Sequence, residues 1–254
     1  MKRAPSSKIL PRSRFATGTS PDPLNTPERT TLDPMSQEIL IPGEDGHLSA
    51  SLDVADDAFA FLILAHGSGA GKDHDFMTGF ASAIVQHRVS VLRFNFPYMD
   101  ASKKFPDKAP IAVAAWKQVH QWAADNLAAG LPIFTAGKSF GGRMASLAAS
   151  EGMPAEALIF LGYPLHAPKK EDKLRDEHLY PLTIPMLFLE GTRDPFANPA
   201  IINRVVSNLN AESQIVWFEG GDHSFKVAYS GRSVTQDGAT LAEPTAKFIR
   251  SRLS

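Results

Sequence analysis

Ile133-Phe134-Thr135-Ala136-Gly137-Lys138-Ser139-Phe140-Gly141-Gly142-Arg143-Met144-Ala145 joins an apolar, β-prone run to Gly-x-Ser-x-Gly and then to a small-residue helical stretch. A chain that reverses this sharply between strand and helix needs small residues beside the turn. It leaves the central side chain strained at the tip, above the N-terminus of the helix. Ser139 is therefore the candidate nucleophile, with Gly137 and Gly141 as elbow residues. The competing reading is an ordinary strand–turn–helix. The bare pattern is weak evidence, and its flanks make it specific.

Outward from this stretch the chain alternates. Apolar runs at residues 59–65, 89–94, 157–161, 186–190 and 214–218 read, with 133–136, as strands buried on both faces. Helical spacing marks residues 75–87, 111–127, 140–151, 198–209 and 241–253. Residues 37–41 and 47–53 form a leading hairpin around 42–46. Alternating strand and helix patterns imply βαβ crossovers, hence a mostly parallel sheet with helices on both faces. Residues 1–34, rich in Pro, Ser, Thr and Arg and without apolar period, are expected to be a disordered tail preceding a domain at 35–254. A transit peptide is disfavoured by Asp22, Glu28 and Asp33, and Met35 is an alternative start.

A serine hydroxyl needs a base to take its proton, and the base needs an orienting group. In α/β sheets such groups collect at the carboxyl ends of strands. After 186–190 comes Gly191-Thr192-Arg193-Asp194-Pro195, and after 214–218 comes Glu219-Gly220-Gly221-Asp222-His223-Ser224-Phe225. These loops supply Asp194 as candidate acid and His223 as candidate base. Asp222 is a rival acid, less well placed because it adjoins His223 in sequence. The order Ser139, Asp194, His223 is that of α/β-hydrolases and not of the chymotrypsin or subtilisin types. The strand at 59–65 runs into His66-Gly67-Ser68-Gly69-Ala70-Gly71. The backbone N–H groups of Phe140 and of Ser68 or Gly69 are the candidate oxyanion hole. A phosphate-binding loop is the rival reading there, but Gly67 to Lys72 is too short for it and Asp73 follows the lysine. His66 reads as a loop fastener. Arg93, Asn95, Tyr98 and Met99 either line a pocket beside that loop or pack the sheet edge and pair with a carboxylate.

The chain has 254 residues, 26 Lys and Arg against 27 Asp and Glu, a net charge of −1, and no cysteine. Disulfides, thiolate metal sites and a cysteine nucleophile are excluded, and no polyanion-binding footprint is present. No apolar run approaches ~18 residues and no secretory signal is recognisable, so a cytoplasmic location without membrane or nucleic-acid partners is expected. No metal-ligand spacing or cofactor motif appears, so no cofactor and no metal are expected.

The segments HGSGAGKDH (66–74), RFNFPYM (93–99), GKSFGGRMA (137–145), GYPLH (162–166), GTRDPF (191–196) and EGGDHSF (219–225) carry a resemblance. The chain resembles dienelactone-hydrolase-related α/β-hydrolases. More narrowly, it is similar to the bacterial branch of the family containing testis-expressed protein thirty and the third regulatory subunit of the NSL complex. The resemblance spans about residues 37–253. It implies an α/β-hydrolase fold and assigns nucleophile, acid and base to Ser139, Asp194 and His223. Dienelactone hydrolase itself uses a cysteine, so its substrate does not carry over. The short, charged insertion between 161 and 186 suggests a minimal lid and an open site unsuited to long lipid chains, its charges forming a solvated surface. The resulting expectation is a serine hydrolase acting on a small-molecule ester or thioester of a small to medium acid. Alternatives are a non-catalytic interaction module of the same fold and perhydrolysis through the same acyl-enzyme.

Overall fold

The computed structural model describes residues 36–43 and 46–253; the expected tail lies outside them. Eight strands form one sheet: β1 (Gln37–Gly43), β2 (Gly46–Asp53), β3 (Ala60–Ala65), β4 (Val89–Phe94), β5 (Ile133–Lys138), β6 (Leu158–Leu161), β7 (Met186–Gly191) and β8 (Ser213–Phe218). Their order is β1-β2-β4-β3-β5-β6-β7-β8. β1 and β2 pair antiparallel, as does β2 with β4, and every pair from β4 through β8 is parallel. The sheet is mostly parallel, as the alternation of patterns requires.

The helices are α1 (Asp75–Val85), α2 (Pro97–Asp100), α3 (Ala109–Asn126), α4 (Phe140–Ser150), α5 (Pro199–Ser207), α6 (Val234–Ala239) and α7 (Ala242–Leu253). Two of them, α2 and α6, are too short to register as apolar periods. Their ends are written in the sequence all the same. Phe96-Pro97 starts α2 with proline in the first turn. Ser233 and Gln236 form a reciprocal capping box at the start of α6. Asn198 caps α5, accepting from the Ala200 N–H at 2.9 Å.

Strand burial follows the period of two. Along β3, Leu62 and Leu64 face a core with α1 and α7, while Phe61, Ile63 and Ala65 face the opposite core with α3 and α4. A third apolar cluster joins β6, β7 and α5 to Tyr163, Leu165, Leu179 and Leu182 of the β6–β7 connection. The alternation of strand and helix breaks here, since 162–185 crosses from β6 to β7 without a helix. Its apolar side chains nonetheless pack it down on the sheet. Trp116 of α3 is fully buried, and its Nε1 donates to the Gly141 carbonyl at 3.0 Å. That bond fixes α3 against the first turn of α4, directly behind Ser139. Among the described residues no helix is long and apolar enough to cross a membrane.

Candidate active site

Ser139 follows β5 and caps α4 with φ 47° and ψ −112°, a conformation that L-residues rarely adopt. The elbow admits no side chain beside it. A Cβ on Gly137 would stand 2.2 Å from the Gly142 nitrogen, and one on Gly141 would stand 2.5 Å from the His66 carbonyl oxygen. The strain is held in place by the Ser139 N–H donating to Leu161 O (3.2 Å) and the Arg143 N–H donating to Ser139 O (3.1 Å).

The structure brings the three separated loops together. His223 Nε2 stands 2.7 Å from Ser139 Oγ, and His223 Nδ1 stands 2.6 Å from Asp194 Oδ2. The other oxygen of Asp194 accepts from the Phe196 N–H at 2.7 Å, which aligns the buried carboxylate. Phe196 in turn covers the imidazole, with ring centroids 4.4 Å apart. Asp222 does not reach the ring nitrogens. Its Oδ1 accepts from the N–H groups of Ser224 (2.8 Å) and Lys226 (3.0 Å), closing the turn that presents His223.

A cavity of about 800 Å³ opens on Ser139 and His223. Ser68, Gly69 and Phe140 line it, and the Gly69 backbone also bonds the Tyr98 hydroxyl. The loop carrying Ser68 and Gly69 is fastened from behind. His66 Nδ1 lies 2.8 Å from Gly67 O, and His66 Nε2 accepts from the Phe96 N–H at 3.1 Å. Burial pushes the imidazole pKa down to about 4, with the Gly67 bond opposing, so His66 is a neutral fastener with one defined tautomer.

Arg93, Asn95, Tyr98 and Met99 do not line this cavity. Arg93 is buried and pairs with Asp53 and Asp73, both at 3.1 Å, and donates to Lys72 O at 2.7 Å. Asn95 accepts from the Lys72 N–H at 2.8 Å, and Tyr98 donates to Gly67 O at 3.3 Å. Of the two readings for these residues, packing and charge pairing is the one observed. Lys72 donates to Glu38 (2.8 Å), Ser51 (2.6 Å) and Asp73 (2.7 Å). Its ammonium is spent inside this network, which anchors the loop and leaves no phosphate cradle.

Four residues without an assigned role in the sequence reading stand around the serine. Lys138, the residue before Ser139, is buried and donates to His223 O at 2.6 Å. Its Nζ lies 5.8 Å over the rings of Phe76 and Phe225. Burial pushes the Lys138 pKa down to about 8 against the opposing charges of Asp194, Glu190 and Asp222. Glu190, at the end of β7, is fully buried. Its Oε1 accepts from the Tyr163 N–H at 2.6 Å, and its Oε2 has no partner among the described residues. Burial, reinforced by the Asp194 charge, holds its pKa well above the ordinary carboxylate value. Arg143 and Arg175 line the cavity. The insertion is therefore not solvated surface throughout, because Arg175 turns inward.

His223 has its pKa lowered, chiefly by burial and further by the Lys138 charge; the Asp194 hydrogen bond opposes this. A neutral imidazole bonded through Nδ1 to a carboxylate and through Nε2 to a serine hydroxyl can accept the serine proton.

The family model described as "alpha/beta hydrolase domain" matches residues 58–250. Among solved structures, a dienelactone hydrolase from Anabaena variabilis has 16% identity and a TM-score of 0.69, covering 87% of this chain and 99% of its own. An α/β serine hydrolase without a lid from Xanthomonas campestris has 18% identity and a TM-score of 0.64, with 84% and 94% covered. Est1E of Butyrivibrio proteoclasticus with ferulic acid bound has 16% identity and a TM-score of 0.66, with 85% and 99% covered. These likenesses concern the fold, while the family match spans most of the sequence. On that match the chain belongs to the alpha/beta hydrolase domain family.

Proposed function

We propose that the protein is a serine hydrolase that cleaves a carboxylic ester or thioester of a small to medium acid through an acyl-enzyme. The observation that carries this reading is the unbroken chain Ser139 Oγ, His223 Nε2, His223 Nδ1, Asp194 Oδ2, with links of 2.7 and 2.6 Å, set on a strained elbow at a cavity floor. His223 Nε2 takes the hydroxyl proton as Ser139 Oγ attacks the carbonyl carbon. The carbonyl oxygen becomes the oxyanion and accepts from the Phe140 N–H and from Ser68 or Gly69. Collapse breaks the bond to the leaving alkoxide or thiolate, which receives the proton from Nε2. Water, deprotonated at the same nitrogen, then attacks the acyl-enzyme and releases the acid. Asp194 holds the Nδ1–H tautomer and offsets the imidazolium charge.

The β6–β7 connection, packed down on the sheet without a helix, supports an acid of modest size over a long lipid chain. Within the family, the sequence segments favour the branch related to testis-expressed protein thirty and the NSL complex subunit. The decisive experiment is labelling with a fluorophosphonate probe. Labelling of the wild type and none of Ser139→Ala is expected. Absence of labelling in the folded wild type would overturn the reading.

A further inference from the structure

Arg143 stands one helical turn beyond Ser139 on the same face of α4, tied to it by the 3.1 Å bond from its N–H to Ser139 O. Its guanidinium forms no hydrogen bond with any described residue, and its Nε is buried without a partner. A guanidinium carries five donors and cannot shed its charge in a protein. Among the charges that act on it is a second cation, Arg175. Burial most of all, and the Arg175 charge as well, lower its pKa, with only Tyr163 opposing.

Arg175 comes from the β6–β7 connection, and among the described residues its guanidinium makes one hydrogen bond, a long one of 3.3 Å from Nη1 to Pro164 O. Both arginines line the cavity that holds Ser139 and His223, and Lys226 stands on its rim. The carboxylates around them are committed elsewhere. Asp176 accepts from the Tyr180 hydroxyl at 2.9 Å, and Asp222 closes its own turn. His178 bonds Ser146 Oγ at 2.8 Å, and burial, with the Arg143 charge, pushes its pKa down to about 4, so it is neutral.

We propose that Arg143 and Arg175 form an anion subsite, and that the substrate carries a carboxylate or phosphate group a few bonds from its scissile carbonyl. This rests on the reading of Ser139 as nucleophile. Either anion supplies the acceptors that the protein withholds from Arg143, in the bidentate geometry that guanidinium favours. The apolar walls at Phe76, Met77, Phe140 and Phe196 then take the intervening carbon chain. A neutral analogue leaves both cations unpaired, so the subsite selects against it more strongly than an apolar pocket selects by size.

Two matched ester pairs test this in the full chain. Mono-4-nitrophenyl glutarate against 4-nitrophenyl pentanoate places the anion on the acyl side. 4-Acetoxybenzoate against its methyl ester places it on the leaving side. In at least one pair the anionic ester should be favoured in kcat/KM by about 10- to 100-fold, the range of a hydrogen bond to a charged group. That ratio should fall toward one in Arg143→Gln and in Arg175→Gln, and Arg143→Lys should recover part of it. Equal turnover within both pairs, unchanged in Arg143→Gln, would overturn the subsite. Calorimetry on Ser139→Ala with glutarate and with inorganic phosphate tests binding without catalysis, and tells carboxylate from phosphate. Loss of that binding on adding Arg143→Gln, with an unchanged melting curve, supports the subsite; absence of binding of either anion overturns it. Anion binding to a protein that hydrolyses no ester and takes no fluorophosphonate would overturn the hydrolase reading alone.

Discussion

The Lys138 ammonium donates a 2.6 Å hydrogen bond to the main-chain carbonyl of His223. The residue beside the candidate nucleophile thus holds the loop of the candidate base. The contact spans 85 positions in sequence, so it ties the end of β5 to the turn after β8 directly under the site.

Lys138→Met should act on His223 in two ways. It removes a positive charge that lowers the His223 pKa, and it frees the carbonyl that fixes the loop. The pKa of His223 should rise, and the acidic limb of the pH–rate profile should move to higher pH. Turnover should fall by roughly 10- to 100-fold from misplacement of the imidazole. A kcat/KM profile against pH checks both. An unmoved limb would show that Lys138 only packs.

A general base at His223 works as the neutral imidazole. Because burial lowers its pKa, ester turnover should reach half its plateau below pH 6.5, the ordinary histidine value. A midpoint at or above that value would argue against His223 as the titrating base.

Ser139→Ala and His223→Ala should each cost several orders of magnitude in ester turnover, and the double variant should be hardly worse, since the members act as a unit. Asp194→Asn should be far more damaging than Asp222→Asn, because Asp194 alone bonds Nδ1. The reverse ranking would reassign the acid. Steady-state kinetics of the five variants settles it.

Glu190→Gln should change the pH dependence of stability. The native pKa of Glu190 is raised, so the folded state binds more protons than the unfolded state above pH ~4.5. Stability from this group is fully present below that pH and is lost as pH rises through the native pKa. The glutamine mimics the protonated acid, keeps the acceptor for Tyr163 N–H, and has no such loss. Urea melts at a series of pH values should show wild type losing stability relative to Glu190→Gln as pH rises.

Gly137→Ala should destabilise by about 3 kcal/mol or more, because the added methyl meets backbone at 2.2 Å with no flexible group to yield. Thermal unfolding measures this, and a loss below about 1 kcal/mol would show that the elbow can relax.

Local chemistry was enough to read much of this molecule from its residues. Apolar runs and the period of helical side chains mark β3 to β7 and the five longer helices, because burial on two faces leaves a pattern in consecutive residues; β8, expected to be buried on both faces, lies at the sheet edge and is only half-buried. Gly137 and Gly141 signalled the elbow, since only glycine fits where backbone meets backbone. Ser139, Asp194 and His223 were each found at a strand end by the same logic. Helices α2 and α6 left no such period, being about a turn or two long. What only the tertiary structure decided is where long side chains go once strands far apart in sequence become neighbours. The sequence assigns Lys138, Glu190, Arg143 and Arg175 no role, because the usual place of a charged side chain is the surface. Sheet order and the packed β6–β7 connection turn them inward, and their meaning lies in which partners they find and which they lack.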